Sequence, residues 1–355
     1  MTTASIHTGP VKVPTEQTEP PRLGRFRGRR WLGLLVGLVI LVTSLLLSVA
    51  VGARAIPPDT VWQLLWHPDG SELSVTIHDL RIPRTLLGLL VGVGLGLAGV
   101  LMQALTRNPL ADPGLFGVNA GAAFAVVCSV VFLGLTEPSQ YLWFALLGAG
   151  LTAAVVYVLG GGGRPSSHTR LALAGFAVAA ALHAVTHGFT TMNATAYDEI
   201  RFWLVGTFAG RSAEVVAGVA PLIVVGAVLA LFLGRSLNAL ALGDDSGRAL
   251  GARPGRTRAI GTVAVLLLCG AATAGAGPIS FLGLAVPHMV RLVTGPDHRW
   301  LLAYSAVYAP ALLLLADVLG RVIAFPGEVP VGIVMAFLGA PIFIVLLRRR
   351  HTMTH

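Results

Sequence analysis

Few side chains in this sequence could do chemistry, and two histidines, His183 and His187, are the most suggestive. They stand four residues apart in an apolar stretch, so in a helix they share one face. Such a pair could bind a metal ion or haem, but the segment lacks the glutamate of an HExxH zinc site and has no carboxylate within a turn. The favoured interpretation is a polar stripe with Thr186 and Thr190 that lines a cavity or bonds to a neighbouring helix, without a metal.

Other polar residues also interrupt apolar stretches. His288 and Arg291 are three residues apart, so a helix places them on one face. Asp317 lies in the run ADVLGR, inside an otherwise apolar segment. Ionisable groups in such segments are functional candidates by default, although for Asp317 a cap or a structural contact with a neighbouring helix is favoured. The polar candidates for a pathway are Gln103, Asn119, His183, His187, His288, Arg291 and Asp317.

The sequence has no motif for binding nucleotide. A Walker A loop needs Gly-Lys-Ser/Thr, and the only lysine, Lys12, lies in Val-Lys-Val. A GxGxxG pattern occurs at Gly94, Gly96 and Gly99, but it lies inside an apolar helix and not between a strand and a helix, so it indicates helix packing. Any process driven by ATP would therefore need a separate polypeptide as its ATPase.

The candidate contact for such a partner is the segment 236–258, in which short apolar clusters alternate with glycines. This pattern predicts two short helices joined by turns at a membrane surface, with Asp244 as a helix N-cap. Gly247 and Pro254 loosen the helical pattern, and an ordinary charged loop is the alternative. The residues assigned to the contact are Leu237, Leu240, Leu242, Gly243, Asp244, Asp245, Arg248, Leu250 and Gly251.

Composition identifies the environment of these groups. The chain has 355 residues, of which 55% are hydrophobic and 12% charged, whereas charged residues make up about 25% of soluble globular proteins. Its net charge of +9 does not indicate nucleic acid, because the basic residues lie at the ends of apolar runs and are not interleaved with aromatics. Cys128 and Cys269 lie in apolar segments and are expected to be small core residues.

Ten apolar runs are candidates for membrane spans, each of which needs about 20 residues to cross the bilayer. The run at 281–294 is short, about 21 Å as a helix, and could be a half-helix buried against protein. The sequence Ala53-Arg54-Ala55 resembles a signal-peptidase site, but the preceding run predicts an uncleaved anchor. The runs lie at 31–51, 84–106, 115–135, 141–160, 169–192, 213–235, 257–277, 281–294, 299–322 and 330–348.

These runs divide the chain into a disordered basic arm (1–30), a single membrane domain (31–350) and a short tail (351–355). Ten crossings place both termini on one side, and charge indicates which side. With the termini in the cytosol, 19 of the 25 basic residues lie inside, as the positive-inside rule requires. The six basic residues on the outer side are Arg54, Arg81, Arg84, Arg201, Arg211 and Arg321.

Two patterns along the spans predict contacts. Gly88, Gly92 and Gly96 recur every four residues, and such a stripe of small residues predicts close packing against another helix. Arg81, Arg84 and Arg321 stand at the outer ends of helices. Either they snorkel to lipid headgroups or they form a basic rim for an acidic partner.

Several of these motifs together resemble a known family. They are RIPR at 81–84, the glycine helix ending in Met102 and Gln103, NPLADPGLFGVN at 108–119, LALGDDSGRALG at 240–251, and the blocks 275–291, 316–321 and 338–347. They resemble the FecCD-type permeases of type II ABC importers, which take up iron-siderophores, haem and vitamin B12. The resemblance covers roughly residues 60–348.

The resemblance implies an all-α polytopic membrane protein with about ten transmembrane helices and a BtuC-like fold, located in the cell membrane. It implies a permease that is not itself an enzyme, with ATP and Mg²⁺ bound by a cytosolic ATPase dimer into which segment 236–258 docks. A second, identical or related permease subunit and an extracytoplasmic substrate-binding protein, docked on Arg81, Arg84 and Arg321, complete the complex. The helix of His183 and His187 would contribute to the pathway. Family frequency favours an iron-siderophore as substrate, with haem or cobalamin as alternatives.

Two other functions remain as alternatives. A proton-coupled carrier could use Asp317 and the two histidines as a relay, although no inverted repeat is evident. An intramembrane metalloenzyme could use His183 and His187 as ligands. The pairing of a coupling-like segment with the lack of a P-loop favours the importer permease.

Overall fold

The computed structural model describes residues 23–52, 56–161 and 168–351. Within these residues the chain is helical and contains no strand. Two short irregular helices, a π-helical segment at Thr76–Arg81 and a 3₁₀ turn at Pro113–Phe116, flank the fourth α-helix. The α-helices are α1 (Leu23–Ala50), α2 (Pro58–Trp66), α3 (Glu72–Val75), α4 (Ile82–Thr106), α5 (Val118–Leu133), α6 (Pro138–Leu159), α7 (His168–Met192), α8 (Ala194–Val205), α9 (Ala213–Phe232), α10 (Gly234–Ala241), α11 (Asp244–Ala249), α12 (Pro254–Ala276), α13 (Leu282–Thr294), α14 (His298–Ile323) and α15 (Val331–His351).

The predicted polytopic all-α fold is confirmed. Seven described helices are long and apolar enough to cross a membrane, and α5, α13 and the described part of α15 are shorter apolar helices. These ten helices coincide with the ten predicted runs. Helix α13 has 13 residues and so remains the short member of the set.

The expected disordered arm is partly wrong, because α1 begins at Leu23 and not at Trp31. Arg30, the residue just before the apolar run, is held to the bundle by two contacts. Its Nη2 donates to the carbonyl of Thr294 at 2.8 Å, and its guanidinium lies over the Trp300 ring. Residues 1–22, the expected signal-peptidase-like site at 53–55 and the tail from 352 onward lie outside the described residues.

Helix α4 is the centre of the bundle. It makes its most extensive contacts with α14 and α12, and it also packs on α9 and α13. The most apolar part of the helical segment that contains α4 is 78% buried, whereas the corresponding part of α1 is 17% buried. Because lipid gives apolar helices no hydrophobic reason to associate, such a central helix must be held by close van der Waals packing and polar contacts.

Small residues on α4 make this packing possible. A Cβ added to Gly92 would collide with the Cα of Pro310 in α14, and one on Gly96 would stand 2.8 Å from the Ser305 carbonyl oxygen. Gly88 faces side chains and not backbone, namely Leu314 and the ring of Phe208. Gly99, which the predicted stripe leaves out, faces the backbone of Gly283 in α13. Helix α4 therefore carries two contact lines, one for α14 and one for α13.

We expect Gly92→Ala to destabilise the fold by about 1–3 kcal/mol, because the added methyl group must push apart the backbones of α4 and α14. Gly150→Ala in α6 is the matched control, since a Cβ there meets nothing within 4 Å. It should be neutral or stabilise by up to about 1 kcal/mol. Thermal unfolding in detergent compares the two variants, and equal losses would contradict this account of the packing.

Candidate functional site: a surface segment and a buried charge cluster

The segment 236–258 folds as two short helices, α10 and α11, followed by the start of α12. Gly243 and Gly251 adopt positive φ angles of 107° and 82°, which explains why glycine stands at both turns. Leu237 and Leu240 are buried against the bundle. The segment is therefore fixed to the membrane domain by one face.

Its other face is exposed. Leu242 and Leu250 are 65% and 67% accessible, although both are apolar. Asp245 and Arg248 form an exposed ion pair at 3.2 Å, which contributes little to stability. An apolar pair among charged residues on an exposed surface is typical of a protein contact.

Asp244 is not the predicted N-cap, because Gly243 holds that position and Asp244 is the first residue of α11. Its carboxylate instead accepts hydrogen bonds from Arg107 Nη2 at 2.6 Å and from Arg258 Nη2 at 2.8 Å. The same Arg107 nitrogen donates to the Leu240 carbonyl at 2.9 Å. One carboxylate thus joins the end of α4, the surface segment and the first turns of α12.

A second connection runs from α10 to α14. Asn238 Nδ2 donates to Asp297 Oδ1 at 2.7 Å, and Asn238 Oδ1 accepts the His298 backbone N–H at 2.8 Å. Asp297 is the N-cap of α14 and accepts from the Arg299 backbone N–H. Asn238 is not among the residues predicted from the sequence. Its only signal is its polarity, at a position between Leu237 and Leu240. The surface segment is therefore bonded to α4 and to α12 and α14, the two helices that pack most extensively against α4.

Asp244→Asn is expected to loosen the surface segment by on the order of 1–2 kcal/mol. Desolvation raises the pKa of Asp244, but the hydrogen bonds and charges of Arg258 and Arg107 outweigh it and lower this pKa overall. The stabilisation is thus complete above the unfolded carboxyl pKa of about 3.9 and is lost as the pH falls through the lower folded value.

Hydrogen exchange of α10 and α11 measures this effect. Asp244→Asn should increase exchange at neutral pH, whereas the control Asp245→Asn should not, because Asp245 is bonded only to exposed Arg248. Equal exchange in the two variants would show that the contacts of Asp244 with Arg107 and Arg258 do not stabilise α10 and α11.

A charge cluster lies at the opposite end of α4, about 35 Å away along a 25-residue helix. Arg84 binds Asp317 in bidentate fashion, with Nη2 at 2.7 Å and Nε at 3.0 Å, and its Nη1 binds Glu328 at 2.7 Å. Arg321 Nη2 lies 3.0 Å from Asp317 Oδ2, the oxygen that also accepts from Arg84 Nε. The Asp317 side chain is 1% exposed. Asp317 is thus the shared counterion of two arginines.

Arg81 and Arg321 also complete the end of α1. Arg81 Nη1 donates to the carbonyls of Val49 and Ala50 at 2.8 and 2.7 Å, and Arg321 Nη1 donates to the Ser48 carbonyl at 2.9 Å. The last carbonyls of a helix lack partners within the helix, so these arginines satisfy groups that would otherwise be orphaned.

The exposed basic rim expected from the sequence is therefore not what the structure shows. Arg81 and Arg321 are 6% and 4% exposed, and the Arg84 side chain is 13% exposed. Their guanidinium groups bind helix ends and carboxylates of the same chain. The structural contact favoured for Asp317 is the arrangement observed.

The four residues of the expected polar stripe on α7 differ in exposure. Thr186 and Thr190 are buried, whereas His183 and His187 are exposed. At 100° per residue all four lie within about 100° around the helix, so they share one side of it. Within the described part of the chain, no group of three or more His, Cys, Asp or Glu side chains could hold a metal ion.

The remaining polar candidates connect helices inside the bundle. Gln103 is buried and lies 3.4 Å from the Gly283 carbonyl and 3.5 Å from Arg291 Nη2, between α4 and α13. Asn119 accepts a hydrogen bond from Thr273 Oγ1 at 2.9 Å, between α5 and α12. His288 is half-buried on α13. Polar groups of this kind stabilise helix contacts in lipid by about 1 kcal/mol each.

Comparison with known proteins gives consistent matches over nearly the whole chain. Residues 40–349 match the model of the FecCD transport family. A solved structure, described as a metal-chelate type ABC transporter in an inward-facing conformation, superposes with a TM-score of 0.76 at 27% identity. It covers 89% of this chain and 98% of its own.

Characterised relatives are similar along their full length. The ferric enterobactin permease FepD of Escherichia coli is 46% identical over 88% of this chain and 94% of its own. The probable siderophore permease YfiZ of Bacillus subtilis is 40% identical over 90% and 96%. The hemin permease HmuU of Yersinia pestis is 34% identical over 92% and 98%. With a family match over most of its length and relatives well above 30% identity, this chain belongs to the FecCD transport family.

Proposed function

We propose that this chain is the permease subunit of an ABC importer that takes up ferric siderophore complexes. Its relatives FepD and YfiZ are named for ferric enterobactin and siderophore transport, at 46% and 40% identity. The hemin permease HmuU is more distant, at 34%. The gradation supports a ferric chelate as the cargo over haem.

The observation that carries the proposal is the surface segment formed by α10 and α11. It offers Leu242 and Leu250 to a partner, while its buried face is bonded to α4, α12 and α14. A movement of this segment would therefore be transmitted directly to α4, α12 and α14. We infer that a separate cytosolic ATPase dimer, which binds ATP and Mg²⁺, docks there and supplies the energy.

The proposal includes two further partners and an orientation. A second permease subunit would cover the face of α7, whose most apolar part is only 11% buried in one chain. His183 and His187 would then line the pathway between the subunits. The termini lie in the cytosol, as the distribution of basic residues requires. An extracytoplasmic binding protein would deliver the chelate at the end of the bundle that carries Arg84 and Glu328.

The proton-coupled carrier is less well supported. Its relay would use Asp317, but the carboxylate of this residue is already bound by two arginines, Arg84 and Arg321. The histidines lie exposed on α7, a different helix.

Uptake of ⁵⁵Fe-labelled chelates tests the proposal in cells that carry this chain with its ATPase and binding protein. We expect uptake of a ferric catecholate or hydroxamate that stops when the chain is deleted, with haem uptake unchanged by the deletion. Uptake of haem without any ferric chelate would contradict the substrate assignment.

His183→Ala combined with His187→Ala tests the pathway, and unchanged uptake would remove these residues from it.

A further inference from the structure

A cavity of about 610 Å³ opens at the same end of the bundle as Arg84. It lies among the first turn of α6, helix α8, the connection 206–212 and the connection 324–330 between α14 and α15. Pockets of about 300–1,000 Å³ are typical of small-molecule sites. Its lining includes Tyr141, Arg201, Phe202, Trp203, Arg211 and Glu328.

Arg211 is the unusual member of this lining. It is 6% exposed, and its Nη1 donates to the Tyr141 hydroxyl at 2.9 Å. Its Nε is buried without a hydrogen-bond partner, and no carboxylate among the described residues lies within 4.0 Å of its nitrogens. A buried guanidinium without a counterion is costly. By contrast, the buried Arg321 at the same end has its carboxylate, Asp317.

A second donor in the lining also lacks a partner. The indole Nε1 of Trp203, a residue that is 1% exposed, is buried without a hydrogen bond to any described residue. Buried indole N–H groups usually find an acceptor. The cavity wall thus contains two buried residues with unused hydrogen-bond donors, and one of these residues carries a positive charge.

The other charges of the lining are mostly neutralised. Asp198 pairs with Arg201 at 3.2 Å, and Glu328 pairs with Arg84 at 2.7 Å. Glu199 is half-buried and forms no ion pair with the described residues. It stays more than 4.0 Å from Arg211, although both line the cavity, so the charge of Arg211 remains available.

We propose that this cavity binds an anionic oxygen group, a carboxylate or a similarly charged oxyanion, of the small-molecule cargo, with Arg211 as its ion-pair partner and the Tyr141 hydroxyl positioning the guanidinium. That the anion belongs to the cargo rests on the proposed function. The volume favours a small molecule, since a single acidic side chain of a docking protein would fill little of it. Phe202, which is exposed, adds aromatic surface for the body of the ligand.

Citrate, a tricarboxylate, and its iron(III) complex are suitable probes. The full chain in lipid nanodiscs should bind both, measured by calorimetry. Arg211→Gln should weaken binding of each about ten- to a hundredfold, the loss expected for one charge-assisted hydrogen-bonding group. Arg211→Lys should recover part of it. Arg201→Gln is the control, because Arg201 is half-exposed and already paired, and it should change affinity less than about threefold.

A neutral ferric trihydroxamate separates charge from shape. Arg211→Gln should leave its binding unchanged, and thermal unfolding should show that the variant is folded. The proposal is overturned if the wild-type chain binds no citrate up to about 10 mM, or if Arg211→Gln weakens both chelates equally. It is also overturned if this variant keeps citrate binding but loses the extracytoplasmic binding protein, which would make Arg211 a docking residue. Citrate binding with no iron uptake in cells would contradict only the proposed function.

Discussion

Asp317→Asn is expected to destabilise the protein by about 3–5 kcal/mol, because it removes the carboxylate shared by two buried arginines. Arg84 and Arg321 lie within 2.7–3.0 Å of Asp317, which is 1% exposed. An asparagine can accept hydrogen bonds, but it leaves Arg321 without a carboxylate partner among the described residues and leaves Arg84 only the half-exposed Glu328. The free-energy loss should therefore appear as a large fall in thermal stability in detergent.

Glu328→Gln is the matched control for this change. Glu328 also binds Arg84 at 2.7 Å, but its side chain is 34% exposed, so solvent screens the pair. Its loss should amount to about 1 kcal/mol or less. If Asp317→Asn were no more harmful than Glu328→Gln, the buried cluster would not be holding α1, α4 and α14 together.

The second large effect is expected at the surface segment. Leu242→Asp combined with Leu250→Asp should reduce ATP-driven uptake at least about tenfold, because the two side chains form the exposed apolar part of the proposed ATPase contact. Both are more than 60% exposed, so thermal stability should change little. Uptake of a labelled ferric chelate and co-purification of the ATPase measure the effect.

Two comparisons sharpen this experiment. Leu110→Asp changes another exposed leucine, in the neighbouring connection between α4 and α5, and should leave ATPase binding intact. Leu240→Ala leaves a cavity in place of a buried side chain. It should instead lower the free energy of unfolding by about 2–5 kcal/mol. Normal uptake by the double aspartate variant would place the ATPase contact elsewhere.

The helices of this protein are readable from the sequence because lipid imposes a simple rule, that each crossing needs a long apolar run. All ten predicted runs correspond to helices. The two short helices of the surface segment could also be predicted, because Gly243 and Gly251 mark their turns. The α4 stripe at Gly88, Gly92 and Gly96 predicted a close contact with another helix. It could not identify α14 as that helix.

Partners of charged groups could not be predicted, because they depend on which helix ends meet in space. The carbonyls that bind Arg81 and Arg321 belong to the end of α1 and carry no sequence signal. Asp244 looked like an N-cap because its neighbours suit one, but the distant Arg107 reaches it. Arg211 was one outer arginine among six, and only the fold reveals that it is buried without a carboxylate.

In the proposed function, this chain is a membrane pathway driven through α10 and α11 by a separate ATPase. The direct test is accumulation of a ⁵⁵Fe-labelled ferric siderophore in proteoliposomes containing the chain, with or without its ATPase and binding protein. We expect accumulation only when ATPase, binding protein and ATP are all present, and none from a proton gradient. Accumulation by the chain alone, driven by a proton gradient and abolished by an uncoupler, would contradict the account.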